Sequence, residues 1–171
     1  RPADVTGRLE KEIAGYDLLD QLDIPFRRVD HDHADTMEMC QEIDQALGQD
    51  ICKNLFLCNR QKTKFYLLLM PGSKPFKTKD LSAQIGSSRL SFGGPEDMER
   101  LLNLTPGSVT VLGLMYDPDC QVTLLIDQDL YQQTAFGCHP CINTSTVQFS
   151  TADLREKLLP ALGHPVTLVQ L

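Results

Sequence analysis

The sequence predicts an α/β (α+β) chain, a mixed central β-sheet with helices packed around it. Three observations carry that expectation. The apolar runs NLFLCN and KFYLLLM are separated only by the polar RQKT, as in a hairpin, and the second run is apolar enough for a central strand. Helix-period segments flank this hairpin in the chain. Strands and helices then interleave without a strict βαβ rhythm, which favours a mixed sheet over a fully parallel one.

Each element has its own local reason. Thr6 is placed to cap a first helix whose apolar positions Leu9, Ile13, Tyr16 and Leu19 or Leu22 recur at helical spacing, ending near Asp23 ahead of Pro25. FRRVDH is a short strand candidate. Asp35 followed by Glu38 resembles a capping box, opening a second helix through Met39, Cys40, Ile43 and Leu47 that Gly48 can stop. After the hairpin, short helices are expected over 78–85 and 95–102, the latter started by Pro95. SFGGPED reads as the loop before it. VTLLID, QTAFG and INTSTVQF return to strand, and a helix capped by Ser150 or Thr151 follows, with Asp153 in its first turn. HPVTLVQL closes as a strand.

A chain of 171 residues suits one well-buried core, so residues 1–171 are expected to form a single domain. Hydrophobic residues make up 42%, yet no apolar run reaches bilayer length, which excludes a spanning helix. The N-terminal RPADVTGRLEKEIAGYD has no apolar signal core, and a cytoplasmic location is expected. Cys40, Cys52, Cys58 and Cys120 sit in strand-like and helical segments as buried small hydrophobes would. The net charge of −7 argues against nucleic acid, but its distribution is uneven. From Lys53 to Arg89 eight basic residues face one acid, Asp80, giving +7 there and −14 elsewhere. That segment is either solvated loop charge or a local phosphate-binding face.

GCHPC, at Gly137 to Cys141, is the stretch with most chemical content. As a Cys-x-x-Cys redox pair it lacks the following helix that would lower a thiol pKa, since INTSTVQF is β-branched and alternating. As half of a zinc site it lacks a second ligand pair; His31 and His33 would have to be brought near by the fold. His139 remains, held in a turn by Gly137 and Pro140. No nucleophile elbow, P-loop or Rossmann glycine pattern is present.

Taken in order, DHADTMEMC, KNLFL, SFGGPEDMERLLNLTPGSVTVLGL and GCHPCINTSTVQFSTADL resemble the YbaK-like superfamily, the editing domains of prolyl-tRNA synthetases and their free-standing deacylase relatives. Within it the chain looks most like alanyl-tRNA(Pro) deacylases of the ProX/PrdX type. The resemblance implies a trans-editing hydrolase that removes a small amino acid, alanine foremost, from tRNA(Pro). Its alternatives are a Cys-tRNA(Pro)-type deacylase and a non-catalytic tRNA- or synthetase-binding module. It implies catalytic roles for Lys53 and His139, and substrate contacts from Asn54, Gly137, Pro140 and Thr110. Met37, Met39, Phe56 and Leu112 become candidate pocket walls, with core packing as the plainer alternative. Lys62, Lys64, Lys74, Lys77 and Lys79 become candidates for the acceptor end of the tRNA. Partners implied are aminoacyl-tRNA and prolyl-tRNA synthetase, with no cofactor, metal or membrane. Where relatives commonly continue GSVT with Pro-Phe, this chain has Val111 and Leu112. The chemistry agrees: an aminoacyl ester is already activated and has a vicinal hydroxyl, so a site needs orientation and charge stabilisation more than a strong nucleophile.

Overall fold

A computed structural model describes residues 2–34, 37–48 and 52–171. Five strands form a mixed sheet in the order β4 (Ser91–Phe92), β2 (Lys53–Cys58), β3 (Phe65–Met70), β5 (Val122–Asp127) and β8 (Val166–Val169). The expected hairpin is there: β2 and β3 pair antiparallel from Lys53 opposite Met70 to Cys58 opposite Phe65. All six residues of β3 are buried, as its composition requires of a central strand. β3–β5 and β5–β8 are parallel pairs, whose long crossovers carry the later helices and two strands of a second sheet.

That second sheet is antiparallel, in the order β1 (Arg27–Asp30), β7 (Ser145–Ser150) and β6 (Ala135–Cys138). The larger apolar interior joins both sheets, with Leu67, Leu124 and Ile126 from one and Phe136, Val147 and Phe149 from the other. On the opposite face of the five-stranded sheet, Leu57, Leu68, Met70 and Leu125 pack with Leu81 and Leu90. Among the described residues no helix is long and apolar enough to cross a membrane.

Helices α1 (Glu10–Gln21), α2 (Met37–Leu47), α3 (Thr78–Ile85) and α4 (Pro95–Leu102) lie close to expectation. The capping residue Asp35 lies outside the described residues. Ser150 caps the last helical segment by accepting from the Asp153 amide at 3.1 Å. Two differences matter. SFGG contains strand β4, paired with Leu57 and Cys58, and Gly93 beside it cannot carry a side chain because a Cβ would lie 2.3 Å from the Phe56 ring. Helix α1 is capped by no side chain and buries Glu12, Gly15, Tyr16 and Leu19, leaving Leu9 exposed. Glu12 can face inward because Arg8 meets its carboxylate.

Candidate active site

Three segments meet around a cavity of about 200 Å³: the start of β2 with Cys52 and Asn54, the loop bearing Gly107 and Val109, and the end of β6 with Cys138 and His139. The β6–β7 pairing runs from Ala135 opposite Ser150 to Cys138 opposite Val147, so GCHPC turns the chain at the sheet end. Cys52 Sγ donates to the Gly137 carbonyl at 3.0 Å and fastens β2 to that turn. Asn54 Nδ2 donates to Cys52 Sγ at 3.3 Å, which leaves its buried Oδ1 without a partner among the described residues. Gly107 takes φ 88°, a left-handed conformation suited to glycine, and presents main chain to the cavity. Cys141 adopts φ 61° just past the His-Pro pair, costly for a residue with a Cβ.

The ring of His139 has a defined tautomer. Its Nδ1–H donates to the Ser145 carbonyl at 2.8 Å, so in the neutral form Nε2 carries the lone pair available to the cavity. Burial holds the His139 pKa below its ordinary value; the Ser145 bond opposes this, and neighbouring His31 adds to it. The two rings lie 6.0 Å apart. His31 Nδ1–H donates to the Asp32 carbonyl at 2.6 Å, and Thr146 Oγ1–H donates to His31 Nε2 at 2.8 Å. A neutral imidazole with an open Nε2 can accept a proton from water or a hydroxyl at neutral pH.

The thiols around it are buried and protonated. Burial pushes Cys52 and Cys141 up to about 12, and Cys138 is raised by burial and by Cys52, against a hydrogen bond with Thr110. None is poised as a thiolate nucleophile. Among the described residues no group of three or more His, Cys, Asp or Glu side chains is arranged to hold a metal ion.

Comparison with known proteins decides the family. A family model described as "Aminoacyl-tRNA editing domain" matches residues 31–157. The chain belongs to this family. It is 32% identical over 153 residues to "Prolyl-tRNA editing protein ProX" of Acetoanaerobium sticklandii, covering 90% of this chain and 93% of that one. "Prolyl-tRNA synthetase associated domain-containing protein 1" of Danio rerio is 28% identical over 169 residues, covering 98% and 88%. A crystal structure of a protein proposed as a trans-editing enzyme for prolyl tRNA synthetase superposes with TM-score 0.67 at 16% identity, covering 95% and 98%. At that identity the likeness concerns the fold alone.

The editing-domain fold brings together only some of the residues singled out in the sequence. Asn54 and His139 line the cavity, and Gly137 borders it through its carbonyl. Thr110 is fully buried, caps the 3₁₀ turn Val111–Tyr116 and touches Cys138. Val111 and Leu112 are buried in the core, so their departure from Pro-Phe alters packing under the loop. Pro140 packs beside Gly15 of α1. Phe56 belongs to the core, stacked on Phe65 at 5.7 Å. Met39 lines a separate hollow with Asp30, His31 and Glu42. Met37 begins α2, and nothing is described of its side chain.

Lys53 does not line the cavity. Side chains alternate along β2, so Lys53 shares the face of Leu55 and Leu57, and its ammonium donates to the Lys74 carbonyl. Nor are the five lysines one surface. Lys74 is bound by Asp127 at 2.9 Å and Asp129 at 2.6 Å, so its charge is already neutralised. Lys77 and Lys79 are exposed at the start of α3, at the end of the sheet where β2 begins. Lys62 and Lys64 are exposed at the hairpin tip, beyond the other end of a six-residue strand, about 17 Å away at ~3.3 Å per residue. Sequence reasoning missed Cys52, which was readable from period-two alternation with Asn54. Val109 lies in the GSVT stretch, Gly107 to Thr110, that the family resemblance sets at the border of the pocket.

Proposed function

We propose that this chain is an editing domain of the ProX/PrdX type that hydrolyses the ester between a mischarged small amino acid, alanine foremost, and tRNA(Pro). The observation that carries the reading is the cavity lined by Asn54, Gly107 and a His139 whose Nδ1 is tied to the Ser145 carbonyl, in a member of the aminoacyl-tRNA editing family. Similarity to a prolyl-tRNA editing protein over 90% of the chain supports the tRNA.

In this reading His139 Nε2 accepts a proton from the attacking water or orders the vicinal ribose hydroxyl, and a main-chain amide of the Gly107 loop faces the developing oxyanion. No covalent intermediate is needed. Lys53 would exchange the Lys74 carbonyl for the terminal nucleotide, and Lys77 and Lys79 would meet phosphates near the cavity. A cavity of about 200 Å³ walled in part by Cys52, Val109 and Cys138 has room for a small aminoacyl group. A second site that removes alanine and spares proline would correct a synthetase pocket that cannot strongly reject a smaller substrate, because missing methylenes are worth only ~1–3 kcal/mol. The test is a deacylation panel of tRNA(Pro) charged with alanine, cysteine, serine and proline. Alanine is expected to be removed fastest and proline spared. Rapid loss of proline, or no hydrolysis of any ester, would refute the reading.

A further inference from the structure

The family match begins at residue 31, yet the side chains that hold the His139 turn from behind come from residues before it. Helix α1 lies directly against the turn. A Cβ on Gly15 would stand 3.4 Å from Leu112 Cδ1 and 3.9 Å from the Pro140 Cα, ordinary contact distances that show how near the helix lies to the turn. On the same face Glu12 is buried to 1% exposure, an expensive place for a carboxylate. Its Oε2 is engaged twice: Tyr16 Oη donates to it at 2.6 Å, and Arg8 Nη1 donates to it at 2.5 Å.

The network continues into the site. Arg8 clamps Asp30 with both nitrogens, Nη1 to Oδ1 at 3.3 Å and Nη2 to Oδ2 at 3.0 Å, and Arg28 Nη1 adds a bond to Oδ2 at 2.7 Å. Asp30 Oδ1 accepts from Ser145 Oγ at 2.6 Å. Ser145, itself 1% exposed, is the residue whose carbonyl receives His139 Nδ1–H. Two further bonds hold the turn from the same side: the His31 amide donates to the Thr144 carbonyl at 2.9 Å, and the Ala34 amide donates to Asn143 Oδ1 at 3.2 Å.

We propose that Arg8, Glu12, Tyr16 and Asp30 are positioning residues of the editing site, acting through Ser145 to hold the His139 ring with Nε2 directed at the cavity. The proposal rests on the reading of His139 as the hydrolytic histidine. The network runs from a buried end, Glu12, to a solvent-facing one, Asp30, and its last bond, from Ser145 Oγ, falls on the residue whose carbonyl receives His139 Nδ1–H. The groups facing His139 are His31 across the turn, Cys52 and Cys138 in the cavity, and Asp30, Arg8 and Glu12 behind Ser145. With both thiols raised, loosening Ser145 acts mainly on the bond to Nδ1. That bond favours the imidazolium, so weakening it moves the His139 titration to lower pH.

The test uses Ser145→Ala, Ser145→Thr, Asp30→Asn and Tyr16→Phe in the full chain, with two readouts: NMR titration of the His139 ring, and kcat and KM for alanyl-tRNA(Pro) hydrolysis. Ser145→Ala and Asp30→Asn are expected to lower the His139 midpoint and to reduce kcat roughly tenfold with KM held, as for a small misplacement of a reacting group. Ser145→Thr, which keeps the hydroxyl, restores both. Tyr16→Phe removes a single oxygen and shifts the midpoint the same way. Variants that melt earlier but leave the His139 midpoint and kcat unchanged would overturn the proposal and make the network purely structural. The titration needs no substrate: a chain inactive on every tRNA but showing the midpoint shifts would refute the hydrolytic reading and sustain the positioning.

Discussion

Replacing Lys74 by methionine separates two roles that lysines share in a sequence. Lys74 Nζ binds Asp127 Oδ2 at 2.9 Å and Asp129 Oδ2 at 2.6 Å, and donates to the Leu171 carbonyl at 2.8 Å. Asp127 is completely buried, and without the ammonium its carboxylate keeps, among the described residues, only the Asp129 amide, at 3.0 Å. Removing one partner of a buried pair costs about 3–5 kcal/mol. Lys74 reaches in from a partly exposed position and Asp129 is half exposed, so water takes over part of the pairing and about 2–3 kcal/mol is expected. For a chain of this size that lowers Tm by roughly 4–12 °C. The same carboxylates raise the Lys74 pKa, so this stabilisation is complete below the ordinary lysine value and is lost only as pH rises through the raised one. The assay pairs thermal unfolding at neutral pH with tRNA affinity at several salt concentrations. Lys74→Met should melt early with an unchanged salt slope, and adding Asp127→Asn should recover much of the loss. An unshifted Tm with a shallower slope would refute the reasoning and return Lys74 to the phosphate face.

Three further outcomes follow from the geometry. With the His139 pKa held below its ordinary 6.5 by burial, kcat/KM should persist as pH falls through the usual histidine range and decline only beneath it; an acidic arm at or above 6.5 would contradict the buried, neutral ring. Alkylation at mildly basic pH should label exposed Cys40 and Cys120 first and reach Cys52, Cys138 and Cys141 only on unfolding, as peptide mapping would show. Charge reversal at Lys77 and Lys79 should weaken tRNA binding and shrink the salt slope by about 0.7–0.9 for each phosphate no longer neutralised, more than reversal at Lys62 and Lys64. Hydrolysis of a minimal aminoacyl-adenosine ester should be unaffected by either pair, and equal losses on both substrates would mean that the lysines act through folding.

The elements legible in the sequence are those whose cause is local. The β2–β3 hairpin announces itself because six consecutive buried positions in β3 must all be apolar, and α4 because Pro95 starts it and Asn103, at φ 56°, ends it. The orientation of α1 was legible only in part. Tyr16 and Leu19 are buried as its apolar period expects, but Leu9 is exposed and Glu12 is buried, made tolerable by Arg8 one turn away and by Asp30 far along the chain. β4 escaped notice because it is a two-residue edge strand with Phe92 60% exposed. In the site, Gly137 and His139 could be read from their motif and Val109 from the GSVT stretch, but Cys52 looks like any core residue until the fold sets it beside a cavity. Lys74 and Lys77 are indistinguishable in sequence, and only the carboxylates of a distant strand end tell them apart.

The central claim is that ester hydrolysis takes place at His139 in the cavity between β2 and β6. Single-turnover hydrolysis of alanyl-tRNA(Pro) by the protein and by His139→Ala tests it most directly. Loss of the positioned base should slow the chemical step by about 10²–10⁴-fold while tRNA affinity and Tm stay close to those of the unaltered chain. Hydrolysis by His139→Ala at an undiminished rate would contradict the account and place the reaction elsewhere in the molecule.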